Sequence, residues 1–195
     1  ERYTVTVQSL CGAGIVILYA DFFTAHALYQ LIPSPYATFA FMSLVTAVAF
    51  FLAVRLDAQP VAILGLLGGF LTPILISTGH DNPLGLFSYV ALLDIGLLAV
   101  ALRKRWLHLT LLAGIATVLM ELAWAGKFFA VEKINTALTI FLFFSALFFA
   151  MCSFVHRVVE KAAEAVDKWS ATAAVLMPTV GLLFALHMFA HPYHE

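Results

Sequence analysis

The chain has 195 residues, of which 63% are hydrophobic and 11% charged, and its formal net charge is -1. Soluble globular domains average about 25% charged residues, so this composition excludes a soluble enzyme and a disordered tail. A net charge of -1 leaves no broad basic surface for a nucleic-acid backbone, which excludes that partner, and two cysteines, Cys11 and Cys152, exclude a disulfide scaffold. The partner that remains is the lipid bilayer.

A helix crosses the hydrocarbon core in about 20 apolar residues. Seven stretches offer that. The first, Ser9–Ile32, is closed by Pro33-Ser34-Pro35, and the second, Tyr36–Val54, by Arg55-Leu56-Asp57. The third, Pro60–Thr78, opens on a proline suited to a helix start. Asp81 or Asn82 is positioned to cap the fourth, Gly85–Leu102, which Arg103-Lys104-Arg105 stops. Trp106–Ala125, Thr136–Val155 and Trp169–Ala190 complete the set. None alternates with period two, so a membrane barrel is excluded. Helices remain, because in lipid the backbone must satisfy its own polar groups. The expected fold is an all-α polytopic bundle of about seven transmembrane helices in one domain, 1–195.

Eight of the ten lysines and arginines fall on the N-terminal face: Arg2, Arg55, Arg103, Lys104, Arg105, Arg157, Lys161 and Lys168. Lys127 and Lys133 fall on the other. Cytoplasmic loops carry the excess of basic residues, so the N-terminus is expected inside and the C-terminus outside. His156–Trp169 places Val158, Val159, Ala162, Val166 and Trp169 on one helical face and Glu160, Lys161, Glu164 and Lys168 on the other. That pattern fits a helix lying on the leaflet, or equally a plain extension of a neighbouring span. Glu1-Arg2-Tyr3 opens no signal peptide, and the chain is expected to be a piece of a longer protein.

A charged side chain at a helix centre costs roughly 2.5–3.5 kcal/mol on insertion scales. Three carboxylates nevertheless fall inside spans: Asp21 midway along the first, Asp94 midway along the fourth, and Glu121 in the outer third of the fifth. No lysine or arginine lies at those depths. These acids must be protonated, hydrogen-bonded, or wetted by a cavity, the alternative to a site being structural glue between helices. Gly114, Thr117, Glu121 and Trp124 form one stripe, so Glu121 is expected to face a small polar groove. Asp21 and His26 are five residues apart, about 140° around a helix, and do not share a face.

The third span holds Gly68-Gly69 and Thr72-Pro73. Pro73 removes the bond to the Gly69 carbonyl, so a kink or an unwound turn is expected near mid-membrane, where freed carbonyls can line a binding site. Close packing through Gly65 and Gly69, with a kink, is the favoured reading of the two. His187 and His191, at i and i+4, could grip a zinc ion if a third ligand joined them. The six phenylalanines of Phe141–Phe154 read as packing or lipid-facing bulk.

Three runs carry a likeness to a known family: Arg55-Leu56-Asp57-Ala58-Gln59-Pro60, Leu64-Gly65-Leu66-Leu67-Gly68-Gly69-Phe70-Leu71-Thr72-Pro73, and Leu86-Phe87-Ser88-Tyr89, followed by the Arg103-Lys104-Arg105-Trp106 junction. They resemble bacterial predicted membrane proteins grouped as domain of unknown function 2339, most strongly over residues 36–125. The resemblance implies membrane location, a larger helical bundle and further transmembrane helices as partners. It implies no activity. From the residues, the leading expectation is transport or binding of a small polar or cell-envelope solute in a cavity lined by Asp21, His26, Asp94, Glu121 and the broken third span. The alternatives are a zinc-dependent membrane hydrolase built on His187 and His191, and a structural module that packs against other helices.

Overall fold

The computed structural model describes residues 2–32, 34–77, 79, 81–128, 131–159, 171–181 and 183–184. Those residues are helical, with no strand among them. The elements are α1 (Arg2–Ala27), α2 (Pro35–Leu56), α3 (Gln59–Leu75), α4 (Pro83–Lys104), α5 (His108–Phe128), a single 3-10 turn (Val131–Lys133), α6 (Ile134–Val159) and α7 (Ala171–Gly181). Five of these, α1, α2, α4, α5 and α6, are long and apolar enough to cross a membrane. The 17 residues of α3 extend about 25 Å. Residues 160–170, most of the stretch read as a surface helix, lie outside the described residues, as do His187 and His191.

The helix ends follow their local chemistry. Ser34 caps α2 by accepting the Ala37 amide at 3.4 Å, with Pro35 first in the helix. Asn82 caps α4 through the Gly85 amide at 3.0 Å. α2 and α4 both stop on a residue in the left-handed region, Asp57 at φ 53° and Arg105 at φ 58°, whose amides return to Ala53 and Ala101. α1 departs from expectation by ending at Ala27 rather than Ile32. The chain then turns through Gln30 at φ 51°.

The chain divides into two compact units, Glu1–Trp106 and Leu107–Glu195. In the first, α2 is central. Gln8 meets the Leu56 carbonyl, the Tyr19 hydroxyl meets Thr46 at 2.6 Å, and the Phe22 ring stacks on Phe41 at 5.0 Å, so α1 runs antiparallel to α2. α3 folds back along α2, where a Cβ at Gly65 would come 2.9 Å from that of Ala49. Phe39 meets Tyr89, Phe50 faces Gly96, and Asp57 pairs with Lys104 at 2.8 Å, so α4 runs parallel to α2. α1 and α4 each pack on α2 and α3, and their backbones do not approach one another closely.

In the second unit, Ala137, Phe141, Phe144, Phe148 and Met151 make the buried stripe of α6, while Leu142, Phe143 and Phe149 are exposed. The phenylalanines thus divide between packing and outward bulk. α7 lies antiparallel to α6: Gly181 sits against Phe141, and Phe148 and Ala173 meet at the open position of Gly114 on α5.

Candidate functional site

The interior of the first unit holds a band of hydroxyls built around the C-terminal half of α3. Pro73 has no amide to donate to Gly69. The Tyr89 hydroxyl of α4 takes that carbonyl instead, at 3.0 Å, and the Thr72 hydroxyl covers the Gly68 carbonyl at 2.7 Å. With both carbonyls satisfied, α3 runs unbroken to Leu75 and Pro73 falls in its last turn. The break weighed at Gly68, Gly69, Thr72 and Pro73 is therefore corrected to a continuous helix whose freed carbonyl is held by a neighbour, and Gly65 and Gly69 pack closely, as the favoured reading has it.

Around the Tyr89 hydroxyl lie Ser43, Thr46 and Thr72. Thr46 also donates to the Met42 carbonyl and contacts Tyr19, so one hydroxyl couples α1 to α2. The glycines make room for this. A Cβ at Gly68 would fall on the Tyr19 ring, and one at Gly69 would press on Leu93 and the Thr46 methyl at 2.9 and 3.0 Å. Tyr19, Thr46 and Tyr89 were not singled out from the sequence. The available signal was the Pro73–Gly69 relation, which demands a donor, and the tyrosines, whose hydroxyls need partners when buried.

The carboxylates take different places. Asp94 is wholly buried, on an α4 face that carries Val90, Leu97 and Ala101, all buried too. That face is distinct from the one that turns Tyr89 and Leu93 to α3. Glu121 on α5 is 1% exposed, in line with buried Gly114, Thr117 and Trp124, as the stripe predicts. Asp21 is exposed on α1, on the side away from Gly12, Ile15 and Tyr19. With α1 ending early, Asp21 stands six residues from the helix end, in the outer half of the span and not midway. Asp21 and Asp94 are not brought together: one is exposed on α1, the other is buried on an α4 face turned away from α3. His26 is partly buried, and its Nδ1–H donates to the Ile32 carbonyl at 2.8 Å, which closes the turn after α1. Among the described residues no group of three or more His, Cys, Asp or Glu side chains could hold a metal ion.

Apolar helices of span length and buried acids in place of a hydrophilic surface define a polytopic helical membrane protein. The family model "Predicted membrane protein (DUF2339)" matches residues 1–194, and the chain belongs to that family. The match reaches well beyond the 36–125 segment where the resemblance is strongest by eye. No curated protein and no solved structure matches the chain.

Proposed function

We propose that the chain binds or passes a small polar or cell-envelope solute within a bacterial inner membrane, its N-terminal face in the cytoplasm, with protons exchanged at Asp94 and Glu121. The carrying observation is the burial of those two acids, 0% and 1% exposed, in helices that are otherwise apolar. An ionised carboxylate is costly at such depth, and ionisable groups retained within spans are the usual material of proton relays. The hydroxyl band supports a polar solute, since tyrosine and threonine hydroxyls can exchange an internal partner for a ligand hydroxyl at little cost. Asp21 has no part in this reading, being exposed on α1.

The test is proton movement in pyranine-loaded proteoliposomes challenged with sugars, polyols and amino acids. Solute-dependent proton movement that Asp94→Asn and Glu121→Gln abolish supports the proposal. Identical traces for wild type and both variants refute the coupling. A second reading, a structural module, has its own supporting observation: Ser43, Thr46, Thr72 and Tyr89 each donate to a backbone carbonyl, three of them within their own helix. It predicts no solute-dependent signal and a loss of stability, not of flux, on removing those hydroxyls.

A further inference from the structure

One end of the first unit gathers the start of α1, the α2–α3 turn and the turn that follows α4. The Gln8 side chain donates to the Leu56 and Asp57 carbonyls at 3.1 and 3.2 Å, and Lys104 bridges to Asp57 at 2.8 Å. The Gln8 bonds tie α1 to the first turn, and the Lys104–Asp57 bridge fastens that turn, with Arg55 beside it, to the Arg103-Lys104-Arg105 turn far away in sequence. The left-handed caps at Asp57 and Arg105 return backbone amides to Ala53 and Ala101. The helix-end carbonyls are thus served by the chain itself, and the guanidinium groups are not spent on them. Arg55, Arg103 and Arg105 are exposed.

Arg55 supplies a direction. Its guanidinium carbon lies 5.2 Å from the centre of the Phe51 ring, one helical turn back toward the hydrocarbon. Phe51 is itself exposed. The cation therefore lies back along the exposed surface of α2, at the level where an apolar ring gives way to charged residues. Trp106 flanks the second turn, as aromatic residues do at headgroup depth. Lys104 is neutralised by Asp57, so three arginines from two fastened turns stand over the membrane boundary with their charge uncompensated by an ion pair among the described residues.

We propose that these two turns form a binding site for the phosphate of an anionic phospholipid headgroup, held by Arg55, Arg103 and Arg105. Arginine suits the task, because its planar fork meets phosphate oxygens in pairs. Asp57 limits the affinity by holding Lys104.

Native mass spectrometry of the full chain, given equal amounts of phosphatidylglycerol and phosphatidylcholine, tests the site. Wild type should favour phosphatidylglycerol. Arg55→Gln, Arg103→Gln and Arg105→Gln should each weaken it about fivefold, the equivalent of about 1 kcal/mol per basic residue near an anionic surface, and weaken phosphatidylcholine, whose choline cation offsets the same phosphate, by less. Asp57→Asn, which keeps a residue tolerant of the left-handed turn, should strengthen phosphatidylglycerol binding by freeing Lys104. Inorganic phosphate at tenfold excess should not displace the lipid. Equal binding of the two lipids, a triple glutamine variant that binds like wild type, weaker binding by Asp57→Asn, or displacement by inorganic phosphate would each overturn the proposal.

Discussion

α1 and α4 each carry an aspartate within one helical turn of the layer where Tyr19, Thr46, Gly69 and Leu93 meet, yet the two acids live in opposite surroundings. Asp94 is sealed in, on a helix buried along two faces. Asp21 looks outward from a helix that packs through one face only. Depth alone does not decide what an acid in a membrane helix does. How far neighbouring helices cover it matters too, and the acid they cover is the more informative of the two.

The largest expected effect breaks this contrast directly. Asp94→Lys puts a long cation at a wholly buried position and should cost about 4 kcal/mol or more. Asp21→Lys should cost under about 1 kcal/mol, because an exposed lysine near a span end reaches toward the interface. Unfolding in mixed micelles compares the two, and equal losses would erase the distinction. Next in size is Gly65→Leu, which drives a side chain into Ala49 and Phe50 and should lower stability by about 3 kcal/mol by parting α3 from α2. Smaller still, Tyr89→Phe leaves the Gly69 carbonyl without its donor. It should cost about 1 kcal/mol in the same assay, in the range of measured interhelical bonds in membranes, and a null effect would mean that another group covers that carbonyl.

Much of this was legible in the sequence, and the reasons are local. Asn82, Ser34-Pro35 and the Arg103-Lys104-Arg105 stop mark helix ends because capping and φ preferences act over a few residues. The Gly114-Thr117-Glu121-Trp124 stripe was visible because polar and small residues stand out at helical spacing, and all four are buried. The early end of α1 was not legible, since no glycine or proline interrupts residues 28–32. Its consequence, His26 tied to Ile32, therefore stayed hidden. At Pro73 the close packing of Gly65 and Gly69 was legible, but whether the helix opens was not. Losing an amide predicts a freed carbonyl, but whether the helix opens depends on Tyr89, which lies twenty residues from Gly69 and reaches it only through packing. The difference between Asp21 and Asp94 was equally out of reach, because both helices are apolar on nearly every side and periodicity does not reveal which face is covered.

The central claim is that the buried acid, and not its exposed counterpart, exchanges protons with the solute path. Solute-driven proton movement in pyranine-loaded proteoliposomes, measured side by side for wild type, Asp94→Asn and Asp21→Asn, tests it most directly. The account predicts that the Asp94 variant loses the signal while the Asp21 variant keeps it within about twofold of wild type, about 0.4 kcal/mol in barrier. Loss in the Asp21 variant with retention in the Asp94 variant would contradict it.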